Sequence, residues 1–268
     1  MLLTLPHDKV SDLITTLQEF PSRSRASLHQ LQQLAGKLNY ACQVVRGGRT
    51  YLRRVLNILA PLKRPHHKVK LPGEFYLDID WWLSFLPTFN GVSAITPDRE
   101  FHILMDSSTV GAGIAFNHDW IYCNWKRDWP SFKDAHINYK ETLSAYIAAR
   151  KWAPLWAHSS VVFHTDSSTA KSILNKGGTK KNQVMVVMRQ LFWLSAQYDF
   201  KISAIHVPGR FHHLPDAISR LHEPGHALVA RQLLDAQCNQ PGLCRHNGLW
   251  GHVSPASAQF LTDIRSAG

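Results

Sequence analysis

Residues 101–126, FHILMDSSTVGAGIAFNHDWIYCNWK, decide the fold of the larger part of this chain. Three apolar runs, FHILMDSS, GAGIAFN and WIYCNWK, are joined by tight turns, which predicts three consecutive strands. Gly111 and Gly113 would let the backbone of the second strand pass close to a neighbouring element. The first run ends in Asp106, so we expect a carboxylate at the end of the first strand.

The segments after this stretch alternate between helical and strand patterns. The predicted elements are a long helix over 137–152, a strand over 161–166, a helix over 168–175, a second long helix over 182–197, a strand over 201–207 and a short helix from Leu214. Three strands followed by alternating helices and strands imply an α/β fold with a mixed five-stranded sheet flanked by helices. We assign this domain to residues 96–222. The tail over 223–268 has one plausible helix at 227–236 and no assigned function.

Residues 1–95 are predicted to form a small, mostly helical and basic region. Apolar residues recur at helical spacing through 28–59, with Gly47 and Gly48 between two sets, which predicts two helices and a tight break. The proline-rich stretch PLKRPHHKVKLPGEF over 61–75 is predicted to be a loop. A short helix is expected around 79–86.

Composition indicates a globular protein that binds a polyanion. The chain has 268 residues, 44% of them hydrophobic, which is enough for two modest domains. Its four cysteines are scattered and no secretory signal pattern opens the chain, so we expect an intracellular protein of the cytoplasm or nucleus. No apolar run approaches membrane-spanning length, and no membrane partner is expected. The formal net charge of +11 makes nucleic acid the leading candidate partner.

The positive charge is concentrated over residues 20–73, which contain eleven Lys and Arg residues and no Asp or Glu. Arg46, Arg49 and Arg53 are spaced three to four residues apart, so one helix face is predicted to carry all three. With Arg54 they are candidate phosphate contacts. The alternative is a solvated helix with surplus positive charge.

Four acidic residues lie in recognisable local sequences: Asp106 in ILMDSSTVGAGIAF, Glu141 in NYKETLSAYIAARKW, Asp166 in VVFHTDSSTAKSIL and Asp216 in HVPGRFHHLPDAISR. Two end apolar runs, one lies early in a helix and one opens a final helix, so the chain can bring them to one edge of the sheet. Carboxylate oxygens select Mg²⁺ or Mn²⁺. Taken alone, Asp166 and Asp216 are typical helix N-caps; the set of four favours a metal site, and for Asp216 both roles are compatible.

These motifs resemble a known family. D-S-S-x-x-G-A-G, N-x-x-E-x-x-A, T-D-S-S-x-A and H-V-P-G-x(6)-D-A-I-S-R, in this order, are similar to the type 1 ribonuclease H domain of retroelement reverse transcriptases. LAGKLNYACQVVRGGRTYLRRVLN and DIDWWLSFLPTFNG resemble the thumb and connection region that precedes it in DIRS-like retrotransposons. The resemblance covers about residues 5–221.

The resemblance implies a metal-dependent endonuclease that hydrolyses the RNA strand of RNA–DNA hybrids. Asp106 would bridge two Mg²⁺ ions, Glu141 and Asp166 would be ligands to one or both, and Asp216 would be the outer ligand of the second ion. The expected partners are the hybrid and the polymerase part of a reverse transcriptase. Asn138 would contact the minor groove, where the 2′-hydroxyl distinguishes RNA from DNA.

Two smaller sets of residues have expected roles. Ser107 and Ser108 would place donors near the scissile phosphate. Relatives usually have Asn four residues before the last Asp and a small residue directly before it, where this chain has His212 and Pro215. In the family a mobile His in this loop assists product release. His206, His212 and His213 are candidates for that role, and solvated loop histidines are the alternative.

Other readings of the sequence remain open. A catalytically inactive nucleic-acid-binding remnant would fit the missing polymerase core and the altered last motif. A DNA nuclease or integrase of the same fold is a third possibility, against which the fourth acid and Asn138 argue. YLDID at 76–80 lacks the adjacent aspartates of a polymerase signature, so no DNA synthesis is expected. A zinc site at Cys238, Cys244, His246 and His252 has unsuitable spacing.

Overall fold

The computed structural model describes residues 2–64, 67–93 and 97–238, and its contacts divide the chain into two units. The first unit holds the residues up to 96 together with 176–185. The second holds 97–175 and the residues from 186 onward. The division into three domains stays a prediction. No helix within the described ranges is both long and apolar enough to span a bilayer.

The first unit is mostly helical, with two short strand pairs. Its helices and strands are β1 (Leu2–Leu3), α1 (His7–Gln18), β2 (Arg25–Ser27), α2 (Leu28–Ala41), α3 (Gly48–Leu59), β3 (Lys68–Lys70), α4 (Gly73–Phe85) and β4 (Val92–Ser93). The predicted pair of helices with a tight break is therefore confirmed. A capping box between Ser27 and Gln30 starts α2, and Gly47 adopts a left-handed φ of 77° directly before α3.

Two predictions in this unit were wrong. The stretch over 61–75 is not a continuous loop, because β3 lies within it and pairs antiparallel with β2, a partner about forty residues away that local sequence does not reveal. Helix α4 begins at Gly73 rather than near Ile79. Phe75, Ile79 and Trp82 recur at helical spacing and are buried, while Asp80 of the YLDID stretch is exposed and Asp78 is buried.

The second unit is built on a five-stranded mixed sheet with strand order β7-β6-β5-β8-β9. The strands are β5 (Glu100–Ser107), β6 (Gly111–Phe116), β7 (Asp119–Asn124), β8 (Ser160–Thr165) and β9 (Lys201–His206). Strands β5, β6 and β7 form the predicted antiparallel meander, and β8 and β9 join β5 in parallel. The predicted α/β class with a mixed five-stranded sheet is confirmed, and it is consistent with a ribonuclease H-like fold.

Helices cover both faces of this sheet. On one face, Leu104 of β5 and Ala115 of β6, which are paired across the two strands, pack against the short helix at 213–219. On the other face, the ring of Phe116 lies 5.4 Å from the ring of Trp152 in the long helix at 137–152. The helices of this unit are α5 (Trp125–Asp128), α6 (Ile137–Trp152), α7 (Ser168–Lys176), α8 (Asn182–Gln197), α9 (His213–Ser219) and α10 (His226–Cys238). The last residue of α7 and the first four residues of α8 are assigned to the first unit.

Two glycines of β6 allow α9 to approach the sheet at backbone distance, as predicted. A Cβ atom at Gly111 would lie 2.7 Å from the carbonyl oxygen of Ser219, and one at Gly113 would overlap the backbone of Pro215 and Ser219. Any larger residue would therefore displace α9 from the sheet.

The tail contributes one described helix, α10, which packs against α9 through Ala230. It is slightly longer than the predicted helix at 227–236. The side chain of Cys238 and all residues from 239 onward, including Cys244, His246 and His252, lie outside the described residues.

Candidate metal centre

Three of the four predicted carboxylates meet at one edge of the sheet. Asp106 is the second-last residue of β5, Asp166 directly follows β8, and Glu141 lies in the second turn of α6. Because β5 and β8 are parallel neighbours, their carboxyl ends lie side by side. One carboxylate oxygen from each of the three residues lies within 4.8 Å of the other two. Asp106 and Glu141 are buried and Asp166 is exposed, so the cluster opens to solvent on one side.

Glu141 is held at both oxygens by neighbouring donors. The backbone N–H of Ser107 donates to Oε1 at 3.3 Å, and the hydroxyl of Thr165 donates to Oε2 at 3.2 Å. Burial, followed by the charges of Asp106 and Asp166, raises the pKa of Glu141 to about 8. Without a cation, the folded protein therefore favours the protonated form of this side chain near neutral pH.

Asp106 is fixed by a residue of α9. The hydroxyl of Ser219 donates to Oδ2 of Asp106 at 2.7 Å, which favours the charged form. Burial is the largest influence and raises the pKa of Asp106; the nearby charges of Asp166 and Asp216 raise it further. Like charges collected in a partly desolvated site are stabilised when a divalent cation binds. Three carboxylates offer the hard oxygen ligands that suit a divalent cation such as Mg²⁺ or Mn²⁺.

Asp216 lies close enough to influence Asp106 but outside the group of three. It is half-buried in α9, and Nε of Arg220 donates to its Oδ1 at 2.8 Å. It is not an N-cap, because α9 already begins at His213. Its assignment as an outer metal ligand stays a prediction.

Asp166 does not cap a helix either. The N–H of Ala170 donates to the hydroxyl of Ser167 at 3.1 Å, so Ser167 supplies the cap of α7. The exposed carboxylate of Asp166 is thereby left at the open side of the cluster.

His212 has a fixed position, which does not fit the mobile product-release role predicted for it. Its side chain is buried, and Nε2 lies 2.8 Å from the carbonyl oxygen of Met105, next to Asp106. It therefore fastens the start of α9 to β5. His206 and His213 are both exposed, and a role for His206 in product release stays a prediction.

The two serines after Asp106 face inward rather than toward a substrate. Ser107 is buried, its N–H serves Glu141, and its hydroxyl lies 2.8 Å from that of Ser144. The hydroxyl of Ser108 accepts from Gly111 N–H at 2.9 Å and organises the turn between β5 and β6. Ser107 thus acts on the site through Glu141. Asn138 lies half-buried in the first turn of α6, and its predicted minor-groove contact stays a prediction.

The predicted arginine face is only partly formed by α3. Arg46 precedes this helix, whereas Arg49 is exposed on it and Nε of Arg53 donates to Asn57 at 3.0 Å. Arg54 turns toward its own unit, because its Nη1 lies 2.7 Å from buried Asp78 and its Nε lies 3.3 Å from Glu74. We therefore leave Arg54 out of the proposed phosphate contacts.

The segment over 20–73, which contains no Asp or Glu, also forms a cavity that the sequence did not predict. The cavity has a volume of about 820 Å³ and lies in the first unit; its lining residues are Arg23, Ser24, Arg25, Ser27, His29, Gln30 and Lys68. Pairing of β2 with β3 places Ser27 opposite Lys68. The clustering of cations in 20–73 was visible in the sequence, but the strand pair that gathers them was not.

Three supporting residues of the carboxylate site were also missed. Ser219, Thr165 and Ser144 hold Asp106, Glu141 and Ser107. Ser219 lies three residues after Asp216, so the helical repeat in the motif DAISR places both on one side of α9. Thr165 directly precedes Asp166 in the motif TDSS.

Fold and site together define an α/β protein of ribonuclease H-like architecture whose sheet edge carries a carboxylate cluster suited to a divalent cation. No protein-family model and no curated protein sequence matches the chain. Among solved structures, the chain is similar to the foamy viral protease-reverse transcriptase dRH in complex with ds DNA. The sequence identity is 12%, the TM-score is 0.30, and the match covers 74% of this chain and 35% of that chain.

Two further structures of the foamy viral protease-reverse transcriptase are similar to this chain at 12% identity and a TM-score of 0.29. One is in complex with RNA/DNA hybrid and is matched over 27% of its length; the other is in complex with dsDNA and is matched over 41%. The chain thus spans less than half the length of each structure. Its predicted place among DIRS-like retrotransposons stays a prediction.

Proposed function

We propose that this protein is a metal-dependent endonuclease that hydrolyses the RNA strand of RNA–DNA hybrids. The observation that carries the proposal is the meeting of Asp106, Glu141 and Asp166 within 4.8 Å at one open edge of the sheet. Three converging carboxylates, two of them buried, are costly without a cation and match the ligand preference of Mg²⁺. The basic segment over 20–73 supports a nucleic-acid substrate.

Each residue of the site has a proposed role. Asp106, Glu141 and Asp166 hold the metal, with Asp216 as an outer ligand. Ser107 and Thr165 orient Glu141 through its two oxygens, and Ser219 orients Asp106. When bound, divalent ions supply an activated water and stabilise the leaving oxygen, so no protein nucleophile is needed. Asn138 reads the minor groove, and Arg46, Arg49 and Arg53 contact phosphates.

The test is a cleavage assay on an end-labelled RNA–DNA hybrid with Mg²⁺ and with EDTA. We expect metal-dependent cuts in the RNA strand, and none in a duplex DNA of the same sequence. Asp106→Asn supplies the catalytic control, and Asp134→Asn, which neutralises an exposed carboxylate, supplies a matched surface control. Hybrid left intact by the parent protein in Mg²⁺ and in Mn²⁺ would overturn the proposal.

One observation favours a second candidate, a catalytically inactive nucleic-acid-binding remnant. Asp216 is paired with Arg220 at 2.8 Å, an ion pair that competes with metal binding. In that case the hybrid would be bound without cleavage, and Arg220→Ala, which removes the competing cation, would restore metal-dependent cutting. Preferential cleavage of duplex DNA would instead indicate a DNA nuclease of the same fold.

A further inference from the structure

The loop between β9 and α9 presents an aromatic side chain to solvent beside the carboxylate cluster. Phe211 is 66% exposed, more than any other large apolar side chain among the described residues. A single exposed apolar side chain is ordinary at a protein surface, so the role of Phe211 depends on its position beside the carboxylate cluster and on its neighbours.

The exposure of Phe211 is built into the loop. The N–H of Phe211 donates to Pro208 at 2.8 Å and the N–H of His212 donates to Gly209 at 2.9 Å, which closes a single turn of 3₁₀ helix. The next side chain, His212, is buried and fastened to Met105. The backbone around Phe211 is therefore held from both sides while its ring points outward.

The same loop is tied to the carboxylate cluster. The N–H of Val207 donates to the carbonyl of Thr165 at 2.9 Å, and a Cβ atom at Gly209 would lie 3.9 Å from Oδ2 of Asp166. The backbone at Gly209 therefore lies close to the carboxylate of Asp166. A phosphate bound at Asp166 would therefore lie close to this loop.

A cation accompanies the ring. The guanidinium carbon of Arg210 lies 4.9 Å from the centroid of the Phe211 ring, a cation–π distance, and the ring stays largely exposed to solvent. Arg210 is exposed, and no carboxylate pairs with it among the described residues. An aromatic face beside a guanidinium is the combination that stacks on nucleotides and neutralises phosphates.

We infer that Phe211 and Arg210 form a nucleotide-positioning site, in which the Phe211 ring packs on the sugar and base of a nucleotide next to the scissile phosphate and Arg210 binds an adjoining phosphate. This inference rests on the proposed function, because it names the contact that aligns the substrate strand with Asp106 and Asp166. Phe211 is a positioning residue in this scheme and takes no part in bond cleavage.

Binding is measured first, in EDTA, so that cleavage does not interfere. A fluorescent RNA–DNA hybrid is titrated with the parent protein and with Phe211→Ala, Phe211→Trp and Leu155→Ala. Loss of one aromatic–base contact is expected to weaken binding roughly 5- to 150-fold, while Phe211→Trp keeps parental affinity. Leu155 is a matched control, since it is 63% exposed in the same unit. Equal affinities for Phe211→Ala and Leu155→Ala would overturn the inference. A loss of affinity in Phe211→Trp as large as that in Phe211→Ala would also overturn it.

A fluorescence measurement reports the contact between Phe211 and the base directly. Hybrids carrying 2-aminopurine at successive positions are mixed with the parent and with Phe211→Ala, and position-dependent quenching is expected with the parent alone. Arg210→Gln should lower the salt slope of binding by about one counterion. Quenching that is the same in parent and Phe211→Ala would refute the stacking contact. If the parent binds the hybrid but does not cleave it in Mg²⁺, the proposed function is wrong. The binding results then still decide whether Phe211 contacts a nucleotide.

Discussion

Replacing Glu141 with Gln should make the metal-free protein more stable at neutral pH and at the same time abolish its stabilisation by Mg²⁺. Glu141 is buried with a pKa of about 8, against an ordinary value of 4.5. The folded state therefore binds a proton that the unfolded state has released, and stability falls as pH rises from about 4.5 to about 8. Gln keeps the shape of the side chain and carries no charge, so this loss is removed.

The magnitude follows from the width of that pH window. Within that pH range, each added pH unit lowers the free energy of unfolding of the parent by up to about 1.4 kcal/mol. The loss amounts to about 3 kcal/mol between pH 5 and pH 7. Gln still accepts from Ser107, but its amide group faces the hydroxyl of Thr165, and this mismatch costs about 1 kcal/mol. We expect the free energy of unfolding of Glu141→Gln to exceed that of the parent by about 1–2 kcal/mol at pH 7. This difference should vanish near pH 5.

The assay is thermal or urea unfolding across pH 5–8 in EDTA, repeated with saturating Mg²⁺. A ligand at one hundred times its Kd stabilises the folded state by about 2.7 kcal/mol, so Mg²⁺ should reverse the order of parent and variant at pH 7. Asp134→Asn, an exposed neutralisation in the same unit, should show neither effect. A stability difference between parent and Glu141→Gln that stays constant over pH 5–8, or a variant that keeps the full Mg²⁺ gain, would refute the reasoning.

Four other changes test separate parts of the molecule. Asp106→Asn should abolish hybrid cleavage in a gel assay and leave a folded domain by circular dichroism, because it removes the charge of the central ligand; cutting at the parental rate would remove Asp106 from the site. Asn138→Ala should lower the ratio of hybrid to duplex DNA affinity, measured by competition, with an unchanged ratio counting against a minor-groove contact. The Arg49→Ala, Arg53→Ala double variant should weaken binding to all sequences alike and reduce the salt slope by about two; equal slopes would reject phosphate contacts. Gly113→Ala should destabilise the protein by about 1–3 kcal/mol in urea unfolding through overpacking against α9, and a neutral result would contradict the close approach.

Local patterns predicted the elements that have clear periodicity and sharp ends. Helix α6 occupies the predicted range 137–152, because its apolar repeat is long and its last residue meets a proline two positions later. Elements that depend on distant partners were missed. Strand β3 exists through its pairing with β2, and the burial of Asp78 is compensated by Arg54, which reaches it from another helix.

The residues of the candidate site likewise fall into those that local sequence predicted and those that depend on distant contacts. The carboxylates could be predicted because each lies in a short motif at the end of an element, where side chains from separate segments converge. Their supports could not, because Ser219 meets Asp106 across 113 residues and His212 meets Met105 across 107. Such contacts follow from the close packing of α9 on β6; Gly111 and Gly113 predicted a close approach, but no local pattern identified α9 as the element that makes it.

The close packing of α9 on Gly111 and Gly113 bears on how chains like this one should be sorted into active and inactive forms. A comparison that scores only the acidic positions would count the site as intact in any related chain in which those residues persist but Gly113 has become Ala or Ser. In such a chain α9 would be pushed outward, and Ser219 and Asp216 would leave Asp106 although every carboxylate remains in the sequence. Sequence comparisons should therefore read the two glycines as part of the signature of the site, with the same weight as the charged residues.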